Sequence, residues 1–179
     1  MNCYEIDLSS STNKFIKSAD DGAEVEVDGE KIWVSKAILS FHSPFFAAMF
    51  RFDFKEKLTD SYTLRDIKLA EFLHFLALIY NLEVIVDKDS VEYLLKLADM
   101  YQCEVVTRLC HSFLLYSDSM TAAERIILSD RYGFSDAVEA AIRKASHNEL
   151  EECMKDGSTK HLTMVRTLTF IIDRLNFKK

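Results

Sequence analysis

Proline occurs once in these 179 residues, at position 44, and glycine only four times. So few breakers leave little room for long flexible linkers. No two cysteines are spaced CxxC, and no Cys-His spacing matches a zinc finger. Of Cys3, Cys103, Cys110 and Cys153, the middle pair would lie about 10 Å apart along a helix, too far for one bridge or one metal. That usage fits a reducing compartment inside the cell. The first residues lack a basic region followed by an apolar run, which predicts no signal peptide. The longest apolar stretches, such as residues 45–50 and 75–80, are far too short to span a bilayer. Lys and Arg are scattered and the net charge is -7, which argues against nucleic acid as the main partner. There is no GxGxxG, no phosphate-binding glycine loop, no HExxH and no GxSxG. The expectation is a cytoplasmic or nuclear protein with no catalytic residues, no cofactor and no metal.

What is present is core-forming material. Hydrophobic residues make up 49% of the chain, enough for one domain or one domain with a small appendage. Residues 1–20 are polar and read as an irregular arm. Val25 and Val27 alternate with Glu24, Glu26 and Asp28, the period of a half-buried strand. Asp28-Gly29 suits a hairpin turn with positive φ, and Ile32 and Val34 continue the pattern beyond it. Ser43 is placed as an N-cap with Pro44 at the first helical position. Residues 61–64 predict a third strand with Tyr62 and Leu64 on one face, and residues 83–86 a short piece rejoining the sheet.

From Asp66 onward the period is helical. Leu69, Phe72, Leu73, Leu76 and Tyr80 form one stripe. Ser90 is placed as the cap of a helix carrying Val91, Leu94, Leu95, Ala98 and Tyr101. Val106, Leu109, Cys110, Phe113 and Leu114 form the next stripe. Further helices carry Ala123, Ile126 and Ile127, then Ala137, Val138, Ala141, Ile142 and Ala145. A last one carries Leu162, Val165, Leu168, Ile172 and Leu175. The string Leu97-Ala98-Asp99-Met100-Tyr101 is echoed by Leu128-Ser129-Asp130-Arg131-Tyr132, which suggests two similar helical corners and is too few copies for a solenoid. Strands first and helices later predict an α+β core followed by an all-α extension.

The set Val25-x-Val27-x-Gly29-x-x-Ile32-x-Val34, Lys36-x-x-Leu39 and Ser43-Pro44-x-Phe46-x-x-Met49-Phe50 resembles the BTB (POZ) domain. Leu94-Leu95-x-x-Ala98-Asp99-x-Tyr101, with Val106 and Cys110, is similar to that family's terminal helix pair. The likeness covers residues 21–116 and is nearest the nematode type that follows a MATH domain, for which this chain has no room. Residues 122–145 resemble the three-box that opens a BACK-type helical extension, taken as residues 117–179. The resemblance implies a dimerising adaptor, as homodimer or BTB heterodimer, that brings an unknown protein substrate to a cullin-3-type ubiquitin ligase. A BTB scaffold or regulator without ligase function is the alternative. The family's cullin contact uses a hydrophobic-x-acidic motif, and Phe54, Lys55 and Glu56 stand in that place. Two readings of Phe54 stand: an exposed knob with Glu56 setting register, or, on spacing alone, a core ring with Glu56 solvated. The family usually has Asp where Gly22 stands, beneath its dimer interface, and Asp21 is one residue off. It often has His where Ser35 stands.

The remaining polar candidates have bland readings beside sharp ones. His42 packs or caps locally, His74 flanks its stripe half exposed, and Cys110 is a core residue while adjacent His111 points elsewhere. Asp99 and Asp130 each precede a tyrosine by two; a paired acid/base site is conceivable, a helix-corner role is favoured. Trp33 faces away from Ile32 and Val34, toward either the arm or the helical extension.

Overall fold

The computed structural model describes residues 7–51, 61–155, 162 and 165–176. Its elements run β1 (Gly22–Val27), β2 (Glu30–Ser35), α1 (Lys36–His42), α2 (Pro44–Arg51), β3 (Ser61–Leu64), α3 (Leu69–Ile79), α4 (Val91–Met100) and α5 (Glu104–Tyr116). Then come α6 (Ala122–Arg131), α7 (Ser135–Lys144), α8 (His147–Lys155) and α9 (Val165–Asn176). The fold is α+β, a small sheet with helices followed by an all-α C-terminal stretch. The chain divides into two compact units, Met1–Ile85 with Lys96–Thr107, and Val86–Leu95 with Arg108–Lys179.

In the first unit the strand order is β2-β1-β3. β1 pairs antiparallel with β2, Val25 opposite Ile32, and parallel with β3, Val25 opposite Tyr62. The hairpin turns at Asp28 and Gly29, with φ of 54 and 81. Two successive positive φ values match the right-handed twist of the flanking strands. Val25, Val27, Val34, Tyr62 and Leu64 are buried as the alternation requires. Ser43 then opens α2: its hydroxyl accepts from Phe46 N at 3.1 Å and donates to the Tyr101 carbonyl. Phe46, Phe72, Phe75 and Tyr101 form the aromatic centre, with Phe46 and Tyr101 centroids 4.8 Å apart.

Residues 83–86 do not rejoin the sheet. Asn81 turns the chain at φ 52, and Val84 and Ile85 lie 39% and 77% exposed. Within the described residues, Val84 N bonds Leu82 O at 2.7 Å and His74 Nε2 lies 3.2 Å from the Ile85 carbonyl.

In the second unit Asp87 caps the turn that leads into α4, in place of Ser90. Its Oδ1 accepts from Asp89 N and Ser90 N, while the Ser90 hydroxyl accepts from Asp87 N. This is a reciprocal capping box with Ser90 in the third position. A second box opens α6, where Thr121 and Glu124 exchange bonds. Ile126, Val138, Ala141, Ile142, Ala145, Leu150 and Ile171 form the core.

The last helix is rotated from the expected stripe. Among its described side chains Thr167 and Ile171 are buried, Ile172 is 45% exposed, and Leu162, Phe170 and Leu175 pack around the core. The expected stripe counted apolar residues, whereas this helix buries a hydroxyl that has a partner. Leu109, expected within the α5 stripe, is 40% exposed.

The echo in the sequence is a shared corner. At Gln102 (φ 52) the amides of 102 and 103 bond the carbonyls of Asp99 and Ala98; at Gly133 (φ 75) those of 133 and 134 bond Asp130 and Ser129. Asn81 repeats the motif, its amide and that of Leu82 bonding Leu78 and Ala77. All three are Schellman closures that satisfy the last carbonyls of a helix.

Candidate interaction surfaces

Phe54, Lys55 and Glu56 lie outside the described residues. Their frame is described. Upstream is α2, anchored by the fully buried Phe46 and by Ser43; downstream is β3, locked in register beside β1.

At the start of α1 a polar hub forms from residues distant in sequence. Asp21 Oδ1 accepts from Ala37 N at 2.8 Å and from Ser35 Oγ at 3.0 Å; Oδ2 accepts from Ser35 Oγ at 2.9 Å and Lys17 N at 3.2 Å. Ser35 Oγ in turn accepts from Ile38 N at 3.2 Å, as the N-cap of α1. Partial burial works to raise the Asp21 carboxyl. The amides of Ala37 and Lys17, the Ser35 hydroxyl and the Lys17 ammonium outweigh it, so its pKa lies below the ordinary value. Ser35 N donates to the Tyr80 hydroxyl at 3.3 Å, and burial pushes that phenol up to about 12. The Tyr80 ring stacks on Phe15 with centroids 4.1 Å apart.

The hub reinterprets two expected departures. Gly22 carries no carboxylate, but the single turn at Ala19–Asp21 brings the preceding Asp21 onto the β2–α1 junction. Ser35 accepts the role of cap and partner there. Trp33 is covered by the arm: its amide donates to Leu8 O at 2.7 Å, Asn13 Nδ2 donates to its carbonyl at 3.0 Å, and its ring lies over Gly22. Phe41, at 84% exposed, and Phe45, at 37%, lie open at the corner of α1 and α2.

The second unit is braced by buried polar contacts that apolar counting missed. The Arg125 side chain is buried and donates to the carbonyls of Leu114 at 2.9 Å and Leu115 at 3.0 Å. Asp130 is buried and accepts from Thr167 Oγ1 at 2.7 Å. The signal for both is a charge standing on the apolar side of a helical period. Asp99 is exposed, and Asp130 serves a buried structural bond. Cys110 is fully buried and its thiol is pushed up to about 12 by burial, while His111 meets Asp136 at 2.8 Å. His42 packs edge-on to Phe41. Among the described residues no cluster of His, Cys, Asp and Glu is fit to hold a metal, and no helix is long and apolar enough to cross a membrane.

A mixed three-stranded sheet, a Ser-Pro helix and helical corners closed behind a tyrosine are the features that characterise this fold. The chain belongs to the BTB/POZ domain family, whose pattern it matches over residues 22–118. It is 32% identical over 117 residues to BTB and MATH domain-containing protein 38 of Caenorhabditis elegans, covering 65% of this chain and 30% of that one. With BTB and MATH domain-containing protein 15 of the same organism it shares 29% over 118 residues, covering 66% and 43%. Kelch-like protein 21 of Danio rerio is 28% identical over 148 residues, covering 82% of this chain and 24% of its own length. The chain thus spans less than half the length of these relatives.

Proposed function

We propose that this BTB protein is an adaptor that performs no chemistry itself and links a protein target to a cullin-3-type ligase. The hydrophobic-x-acidic segment Phe54-Lys55-Glu56, carried between α2 and β3 of a BTB fold, supports the reading. Phe54 enters a pocket on the partner, and Glu56 fixes register through hydrogen bonds. An aromatic anchor of this kind contributes roughly 2–4 kcal/mol.

In this reading residues 1–20 are an arm, 21–116 the BTB domain and 117–179 a three-box/BACK-like extension that widens the partner surface. The protein pairs with itself or with another BTB chain, and exposed Phe41 offers apolar area for that contact. Its place of action is the cytoplasm or nucleus. The test is capture of the cullin-3 N-terminal domain by the intact chain and by a Phe54→Ala/Glu56→Ala variant. The variant should lose at least tenfold in affinity; equal capture by both would remove the mechanism.

A further inference from the structure

The β2 edge of the sheet is closed by the chain itself. Among the described residues β2 lies outermost in the order β2-β1-β3, with the apolar run Ile32-Trp33-Val34 at its centre. The amide and carbonyl of Trp33 both point away from β1, and the N-terminal arm takes both. The amide donates to Leu8 O at 2.7 Å, and the carbonyl accepts from Asn13 Nδ2 at 3.0 Å. Asn13 bolts this contact. Its Nδ2 also donates to Ser10 O at 3.0 Å and its Oδ1 accepts from Phe15 N at 3.1 Å, so one side chain shapes the arm and closes the strand. Leu8 and Asn13 are 6% and 9% exposed. Between these points the arm stands off the sheet over a cavity of about 470 Å³, lined by Ser11, Thr12, Ile16 and Trp33 among others. A segment held at a few points over a hollow opens at low cost.

An apolar edge of this kind is a template for another strand, and natural sheets cover or charge such edges. The strand that matches it is a second β2. A two-fold axis through Trp33 lets the two copies of that residue exchange both N–H···O bonds, the closely bonded pair of an antiparallel ladder. The same axis sets the two Trp33 rings across from one another and puts Lys31 opposite Ser35, so no like charges meet. The ladder is short, because the Tyr80 hydroxyl already takes Ser35 N, and pairing in the range of about 0.1–1 mM is expected. We infer that the arm is an autoinhibitory strap. Docked, it keeps the β2 edge closed; lifted, it lets two copies of this chain join β2 to β2 about Trp33. Neither Phe41 nor the Phe54–Glu56 segment takes part in this contact.

Hydrogen exchange at the Trp33 amide reads the strap, measured by NMR on the full chain from about 20 μM to about 1 mM. In the parent the amide should be equally protected at every concentration, because Leu8 of the same chain holds it. In Leu8→Asp/Asn13→Ala it should exchange at least about tenfold faster when dilute and regain protection when concentrated. The Ile32 amide, which faces β1, should stay protected throughout and so show that the sheet is intact. Should Ile32 lose protection, Asn13→Asp, which keeps the shape and removes only the donor to the Trp33 carbonyl, makes the same measurement. Adding Trp33→Lys to the released variant sets like charges across the axis and should abolish the recovery. Unchanged exchange in the released variant would overturn the proposal, as would no recovery at the highest concentration. Recovery that survives Trp33→Lys would overturn it too, by placing the contact elsewhere. Protection that rises with concentration in the parent would show that a second copy, not the arm, holds the amide, and would overturn it equally.

Discussion

Ser35 Oγ lies 3.0 and 2.9 Å from the two carboxylate oxygens of Asp21, fourteen residues away, while accepting from Ile38 N. One hydroxyl thus ties the turn before β1 to the first turn of α1. The carboxylate adds a second bond to that turn through Ala37 N. Replacing Asp21 with Ala removes both contacts and should cost about 1–2 kcal/mol, the range for a lost helix cap. Folding favours the ionised form, because the folded-state pKa lies below the ordinary value. Its contribution is therefore complete above about pH 4 and is lost as pH falls through the folded-state value. Urea midpoints at pH 7 and pH 3 for the parent and Asp21→Asn check this. The gap between the two proteins should narrow from pH 7 to pH 3; a constant gap would mean that the charge contributes nothing.

A second expectation concerns the helical corners. Gln102 and Gly133 occupy equivalent positions with positive φ, and only glycine holds that conformation without steric cost. Gln102→Gly should raise stability by about 0.5–1 kcal/mol, and Gly133→Ala should lower it by a similar amount. Thermal midpoints moving in opposite directions would bear this out. Movement of both downward would show that the Gln102 side chain matters more than its backbone.

The parts of the fold that were legible before any coordinates are those where one local rule acts alone. Val25 and Val27 needed only alternation, Asp28-Gly29 only turn geometry, and Ser43-Pro44 only capping. Residues 83–86 misled because a β-branched run specifies extended backbone without specifying a neighbour. Ser90 misled because a D-x-x-S box exchanges the usual roles of cap and third residue. The Asp21–Ser35 hub was invisible because its members are brought together by tertiary folding. Phe54, Lys55 and Glu56 entered as a partner contact only through the family resemblance, since spacing alone favoured a core ring, and they lie outside the described residues.

Arg125 is a buried charge that apolar counting passes over. Its buried guanidinium closes the end of α5 by bonding the carbonyls of Leu114 and Leu115. Burial lowers its pKa, but arginine has ample range to stay charged. Arg125→Met keeps the stem and leaves two carbonyls without their donor. A loss of about 2–3 kcal/mol is expected by urea denaturation. A loss under about 0.5 kcal/mol would mean that water replaces the guanidinium.

Ser129 and Thr167 make an opposed pair of buried hydroxyls in the same unit. The Ser129 hydroxyl is fully buried and has no hydrogen-bond partner among the described residues, so it carries a desolvation cost that none of them offsets. Thr167 is equally enclosed, but its hydroxyl donates to Asp130 at 2.7 Å. Ser129→Ala should therefore be neutral or stabilising by up to about 1 kcal/mol. Thr167→Val keeps the shape and takes the donor from a buried carboxylate, which should cost about 1–3 kcal/mol. The residues sit on different helices, so the double variant also measures their independence. If both single changes lowered the urea midpoint alike, Ser129 would have to hold a bonded water, and the bond to Asp130 would lose its special weight in holding α9 to α6.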